Sequence, residues 1–155
     1  MTQQDDKEAE RKLSKQIFSK AWELIDNPDR TPEQDRLMLI TACAAWWHWD
    51  KVGTEQNRAI SDWQVAHVAS LLGYGDLALE FASSAMERTV AGGGDDWMRA
   101  SALEGLARAH AAAGNRRERD DYLQMAREAL DDISEKGERD LIASQIDTVP
   151  EASAG

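Results

Sequence analysis

Apolar residues recur along the chain at every third or fourth position, which is the spacing of an amphipathic helix. In the first such stretch, Leu13, Ile17, Ala21 and Leu24 form one stripe. We find no segment that alternates apolar and polar residues as a half-buried strand does. The pattern predicts about seven helices, which cover approximately residues 5–26, 32–52, 54–72, 76–90, 95–113, 115–136 and 138–149.

Helix ends are indicated by capping residues and by glycines. Thr31 predicts an N-cap because Pro32 follows it at the first helical position and Gln34 lies at the third. Other predicted N-caps are Thr54, Asp76 and either Asp95 or Asp96. Gly53 is expected to end the second helix in a left-handed conformation. Gly137 is expected to break the sixth.

Two stretches of the chain match each other when they are aligned on Gly73 and Gly114. Seven residues before each glycine stands a small residue, Ala66 or Ala107, and twelve residues after it stands Ala85 or Ala126. Small residues at these positions let paired helices approach closely, as stacked helical hairpins require. The match is imperfect, because Arg119 stands in the second stretch where Ala78 stands in the first.

This pattern resembles the tetratricopeptide repeat between about residues 59 and 130. The whole chain also resembles a family of uncharacterised bacterial proteins with such repeats. The segments that carry this second resemblance are 21–25, 30–33, 47–49, 52–53, 57–58, 106–110, 113–114 and 147–150. The resemblance implies an all-α fold of antiparallel helical hairpins stacked as a short α-solenoid. It implies no activity, cofactor or catalytic residue.

Composition and charge narrow the classes of function. The chain has 155 residues and a formal net charge of −11, which disfavours binding to a phosphate backbone, so no nucleic-acid partner is expected. No apolar stretch has the length of a membrane span or a signal peptide, so no membrane partner is expected. Cys43 is the single cysteine and lies in an apolar run, which predicts a core residue. The single cysteine and the lack of a membrane or signal segment favour a cytoplasmic protein. The predicted helices indicate one domain, residues 1–150, followed by a disordered tail, residues 151–155.

The sequence contains no recognisable catalytic or metal-binding set. It has no nucleotide-binding glycine motif, no nucleophile motif and no zinc-ligand spacing. The repeat pattern points His67 toward a concave face and His110 toward the interior, so the histidines are not expected to share a metal. We therefore expect no metal and no cofactor, and the sequence favours a non-enzymatic protein over an enzyme.

The concave face of the predicted solenoid is the first candidate site. Trp63 and His67 are four residues apart on the third helix, and Glu104 and Arg108 are four apart on the fifth. Residues at this spacing are neighbours on one helix face, and the second pair can form an ion pair. Such a wall fits a non-enzymatic interaction module that binds a peptide or protein segment.

The tryptophan cluster of the second helix, residues 46–49, is the alternative site. Trp46, Trp47 and Trp49 point in different directions around the helix, so either all three rings pack inside or one is an exposed anchor. Polar groups lie beside them, which fits a small-ligand sensor or an enzyme with a pocket. The residues proposed for this pocket are Trp47, His48, Asn57 and Arg58.

Self-association is the last expectation. Phe18 and Trp22 widen the apolar arc of the first helix, at the free end of the array. Two copies could bury these rings about a two-fold axis, which predicts a weak homodimer.

Overall fold

The chain forms seven α-helices in the computed structural model, which describes residues 2–154. They are α1 (Gln3–Ile25), α2 (Pro32–Val52), α3 (Glu55–Leu71), α4 (Gly75–Ala91), α5 (Asp96–Ala112), α6 (Arg116–Ala129) and α7 (Lys136–Asp147). A single 3-10 turn, Leu130–Asp132, follows α6. These residues include no strand, so the prediction of an all-α fold is confirmed. Within residues 2–154, no helix combines the length and the apolar character that crossing a membrane requires.

Three helices begin with a capping box, in which a threonine and the third helical residue exchange hydrogen bonds. At the start of α2, the Thr31 hydroxyl accepts from the backbone of Gln34, whose side chain accepts in return from the backbone of Thr31. Thr54 makes the same exchange with Asn57 at the start of α3. The N-caps predicted at Thr31 and Thr54 are therefore confirmed, and Thr2 caps α1 in the same way.

The predicted roles of Gly53 and Asp76 at helix ends are wrong. Gly53 is not left-handed, because its φ is −80°. A glycine is needed there for space, since a Cβ would lie 2.6 Å from the carbonyl oxygen of Trp49. The N-cap of α4 is Tyr74, so Asp76 lies inside the first turn of that helix.

The sixth helix ends seven residues earlier than the predicted 136, at Ala129. Ile133 has extended backbone and is buried in a core cluster with Ile142 and Ile146. Placing Ile133 in this core draws the chain out of the helix. Gly137 therefore does not break α6 but lies in the first turn of α7, where its backbone N–H donates to the Glu135 carboxylate.

The helices stack as three hairpins, α1 with α2, α3 with α4 and α5 with α6, and α7 packs on α5 and α6. The small residues that the repeat pattern predicts lie between them fully buried. They are Ala66, Ala78, Ala85, Ala107 and Ala126. Short connections make successive helices antiparallel, so the odd-numbered helices run parallel to one another. Contacts between α3 and α5 place these helices on one face of the array.

Arg119, which replaces the expected alanine at the start of α6, binds the segment that follows α7. Its guanidinium donates to the carbonyl oxygens of Val149 and Pro150. In the tail that the sequence analysis expects to be disordered, the Ser153 N–H donates to the Ala111 carbonyl oxygen at 2.9 Å. The chain after α7 is thus hydrogen-bonded to α5 and α6 as far as Ser153, and Gly155 lies outside the described residues.

Candidate functional site

A groove with a cavity volume of about 960 Å³ lies on the face that α1, α3, α5 and α7 share. Aromatic and aliphatic side chains form most of its walls. They include Phe18 and Trp22 from α1, Ile60 and Trp63 from α3, Trp97 from α5 and Leu141 from α7. The groove is therefore lined by three of the six tryptophans of the chain.

Three aromatic rings, tilted relative to one another, make the floor of the groove. The ring centroids of Trp22 and Trp63 are 5.6 Å apart, and the His67 ring lies 5.2 Å from Trp63 and 5.8 Å from Trp22. Trp63 and His67 are each only 8% exposed. Trp63 and His67 are thus mostly covered by other residues, whereas Trp22 is only partly buried.

Gly105 on α5 makes room for the Trp63 ring. A Cβ at Gly105 would lie 2.9 Å from Cδ1 of Trp63, closer than side chains normally approach. The sequence analysis did not single out this residue. A signal was present, because a glycine in a helix interior costs about 1 kcal/mol relative to alanine and often marks a close packing contact.

A buried ion pair lies under the same ring. The Glu104 carboxylate accepts from Trp63 Nε1 at 3.1 Å and from Arg108 Nε at 2.7 Å. Arg108 Nη2 donates in addition to the carbonyl oxygen of Gln145 and to the hydroxyl of Thr148 on the far wall. Glu104 is completely buried and Arg108 is 4% exposed. This network ties α3, α5 and α7 together.

His67 is uncharged at neutral pH. Burial, and secondarily the positive charge of Arg108, lowers its pKa from 6.5 to about 3. Within the described residues, its Nδ1 atom is buried and has no hydrogen-bond partner. Unpaired buried polar atoms are uncommon in native proteins because each costs stability. His67 therefore contributes a neutral polar ring to an apolar floor.

The structure brings together all four residues of the first candidate site, Trp63, His67, Glu104 and Arg108. The predicted pairing of Glu104 with Arg108 is present, but Glu104 lies beneath Trp63 instead of on an open wall. The part of the groove that α7 supplies does not follow from the sequence pattern, which predicts only a capping role for this helix. It also assigned Phe18 and Trp22 to the free end of the array, whereas both line the groove. Their spacing of four residues, on one face of α1, was a usable signal.

The four residues of the alternative pocket do not converge on one site. His48 Nδ1 lies 3.0 Å from a Glu10 carboxylate oxygen, a contact that lowers the pKa of Glu10. The Asn57 side chain accepts from the backbone N–H of Thr54 in the capping box of α3, and Arg58 donates to the backbone carbonyl of Asp50. Trp47 is 54% exposed, with the Lys51 ammonium 3.3 Å above its ring centroid.

The other two tryptophans of α2 face the interior. Trp46 donates to the buried carboxylate of Asp62 at 2.6 Å, and Trp49 is 7% exposed. Trp47 is thus the ring of this cluster that faces solvent. Neither the groove nor a second cavity of about 90 Å³ beside Gly92–Gly94 is lined by Trp47, His48, Asn57 or Arg58.

The cysteine and the remaining histidine have structural surroundings. Cys43 is exposed on α2, so the prediction that it is a core residue is wrong, and partial desolvation raises the pKa of its thiol. His110 stacks on Tyr122 at 5.4 Å and accepts a hydrogen bond from Asn115. In the part of the chain that the structure describes, no three His, Cys, Asp or Glu side chains are grouped to hold a metal ion.

Comparison of the chain with protein-family models, with curated proteins and with solved structures finds no match. The resemblance to tetratricopeptide repeats therefore stays a prediction. The assignment of a function rests on the groove itself.

Proposed function

We propose that this chain is a small non-enzymatic binding module, similar to tetratricopeptide-repeat proteins, that holds a peptide or protein segment in its groove. The observation that carries the proposal is the groove of about 960 Å³ with Trp22, Trp63 and Trp97 in its walls. Tryptophan is favoured at binding hot spots because its large ring buries much apolar surface.

The shape of the groove favours a chain segment over a compact ligand. The α3 side chains that line it extend from Ala59 to Leu71, a distance of about 18 Å at about 1.5 Å per helical residue. About five residues of extended chain span that distance. Leu71 and Leu141, which both line the groove, are 40% and 60% exposed, so an occupant has apolar surface to bury.

The chemistry of the floor favours binding over catalysis. A general base works best when its pKa lies near the working pH, whereas the pKa of His67 is about 3. The Glu104 carboxylate is buried and engaged by both Trp63 and Arg108. Neither group is available to a reacting molecule at neutral pH.

Two further expectations accompany the proposal. The single cysteine favours a cytoplasmic setting. A weak homodimer is also expected, although Phe18 and Trp22 now belong to the groove wall. Light scattering at high protein concentration tests the dimer, and a 17.3 kDa species alone would contradict it.

Selection of peptides from a random 12-residue library displayed on phage tests the proposed function. Trp63 and Arg108 are unsuitable targets because both are buried. The double variant L71S/L141S instead removes exposed apolar groups from the groove. Its matched control is L37S/I40S, which removes two apolar groups that are 51% and 58% exposed on α2, outside the groove.

We expect the wild type and the control to enrich the same peptides, and L71S/L141S to lose most of that enrichment. Circular dichroism confirms that both variants keep the helical fold. Enrichment that survives in L71S/L141S and disappears in L37S/I40S would overturn the groove as the binding site. No enrichment on the wild type would overturn the proposed function.

A further inference from the structure

We infer that the segment held in the groove is apolar in its middle and carries a basic residue, Lys or Arg, at each end. The inference rests on the proposed function and names the chemistry of its partner. It comes from the placement of the charges that line the groove.

Three residues that carry a charge at neutral pH line the groove, namely Asp26, Arg108 and Glu138. The charge of Arg108 is balanced by the buried Glu104 carboxylate, whose oxygen lies 2.7 Å away. Asp26 and Glu138 are exposed, and neither makes an ion pair with any residue in the range 2–154. The groove therefore has two uncompensated negative charges.

These two carboxylates lie at opposite ends of the groove. Asp26 follows the last residue of α1, one turn beyond Trp22, and Trp22 packs on His67 near the carboxyl end of α3. Glu138 lies in the first turn of α7, one turn before Ile142, which packs in a cluster with Ala100 near the amino end of α5. Since the odd-numbered helices run parallel, Asp26 marks one end of the groove and Glu138 the other.

The electrostatic field of the surrounding protein also favours positive charges on the bound segment. At the carboxyl end of α1, the Arg30 guanidinium binds the carbonyl oxygens of Leu24 and Ile25 and is balanced by the Asp35 carboxylate 2.8 Å away, so it leaves the charge of Asp26 in place. The chain as a whole carries a net charge of −11. A basic side chain at each end of the occupant would meet these charges, whereas an acidic occupant would be repelled.

The middle of the groove fits an uncharged segment with backbone polar groups. Trp22, Trp63 and Trp97 supply apolar walls, and the neutral His67 ring packs against both Trp22 and Trp63. Polar side chains, among them Ser101 and Gln145, also line the groove. A peptide backbone carries N–H and C=O groups beside apolar side chains, so it suits this mixed floor better than a hydrocarbon does.

The groove length sets the spacing of the two basic residues. Ala59 and Leu71, twelve residues apart on α3, line its opposite ends and are about 18 Å apart along the helix axis. Because Asp26 and Glu138 belong to different helices, α1 and α7, this length is the least distance between them. The basic residues should therefore be at least about five positions apart in an extended segment, or at least about twelve apart in a helix. A 12-residue library contains the extended arrangement.

The test uses the same phage library on three forms of the protein and reads the composition of the enriched peptides. D26N/E138Q removes both groove charges while keeping side-chain size. E80Q/E87Q removes two exposed carboxylates of α4 that lie outside the groove and reduces the net charge by the same amount. Circular dichroism checks that all three forms are equally helical.

We expect the wild type and E80Q/E87Q to enrich apolar peptides with flanking Lys or Arg, and D26N/E138Q to enrich apolar peptides without that flanking bias. A synthetic peptide from the wild-type selection should bind D26N/E138Q about two- to tenfold more weakly, since two exposed ion pairs are lost. Raising the salt concentration should narrow this difference.

Three outcomes would overturn the inference. The first is that the peptides enriched on the wild type have no excess of Lys or Arg at their ends. The second is that D26N/E138Q enriches peptides with the same excess as the wild type. The third is that E80Q/E87Q loses this excess as fully as D26N/E138Q does, which would attribute the effect to net charge. All three outcomes leave the proposed function standing, because peptides are still selected. Failure to select any peptide on the wild type would instead remove both.

Discussion

The Trp63 ring on α3 rests against the backbone of Gly105 on α5, where a Cβ would be 2.9 Å from Trp63 Cδ1. The same ring donates its Nε1 hydrogen to the Glu104 carboxylate. Two neighbouring residues of α5 thus determine how Trp63 lies, one by its small size and one by its charge. This contact forms the floor of the groove.

Gly105→Ala is expected to destabilise the protein. In a helix interior, alanine stabilises the folded state by about 1 kcal/mol relative to glycine. At this position, however, the added Cβ must displace the buried Trp63 ring, which costs about 1–3 kcal/mol. Gly137→Ala is the control, because a Cβ there meets only the Glu135 carboxylate, at 3.1 Å, and no ring or backbone atom. Urea denaturation should show a lower free energy of unfolding for Gly105→Ala and a smaller change for Gly137→Ala. A gain at Gly105 would mean that Trp63 does not lie against α5.

Arg108→Ala is expected to cost about 3–5 kcal/mol in the free energy of unfolding, because it leaves the Glu104 charge buried without its partner. It also removes the hydrogen bonds from α5 to Gln145 and Thr148 of α7. Arg117→Ala on α6, where the side chain is 90% exposed, should change stability by less than about 0.5 kcal/mol. If urea denaturation showed the same change in the free energy of unfolding for both substitutions, Arg108 would not belong to a buried network.

The stability of the protein should depend on pH through His67. Its pKa is about 3 in the folded chain and lies near 6.5 when the chain is unfolded. As pH falls below 6.5, the unfolded state takes up a proton that the folded state does not, so the free energy of unfolding falls. Through His67 alone, the free energy of unfolding should decrease by about 1 kcal/mol from pH 7.5 to pH 5.5.

His67→Leu should remove this part of the pH dependence. His110, whose pKa burial also lowers, is present in both proteins and cancels from the comparison. Urea denaturation at the two pH values measures the effect. The same loss of stability in wild type and His67→Leu would show that His67 is protonated in the folded chain.

The features predicted correctly from the sequence are those that depend on neighbours in the chain. Thr31 and Thr54 reveal helix starts because a cap bonds to the third helical residue, and the spacing of Ala66 and Ala107 reveals close helix packing. The residues mispredicted depend on distant parts of the fold. Ile133 leaves α6 because it packs in a core formed with α7, and Cys43 lies on a side of α2 that is exposed within residues 2–154.

In the candidate site, too, contacts within one helix can be predicted from the sequence, and contacts between helices cannot. Trp63 with His67, and Glu104 with Arg108, are each four residues apart on one helix, so their proximity follows from helical geometry. Their contact with Trp22 and Thr148 depends on where α1 and α7 pack, and no local pattern encodes that.

The six tryptophans give the most direct test of the central claim, because three line the groove and three belong to α2. Each indole N–H gives its own signal in a nitrogen-15 NMR spectrum. Titration with a peptide from the phage selection should shift the signals of Trp22, Trp63 and Trp97 and leave those of Trp46, Trp47 and Trp49 in place. Shifts confined to the α2 tryptophans, or no shifts at peptide concentrations that saturate binding, would show that the segment does not bind in the groove.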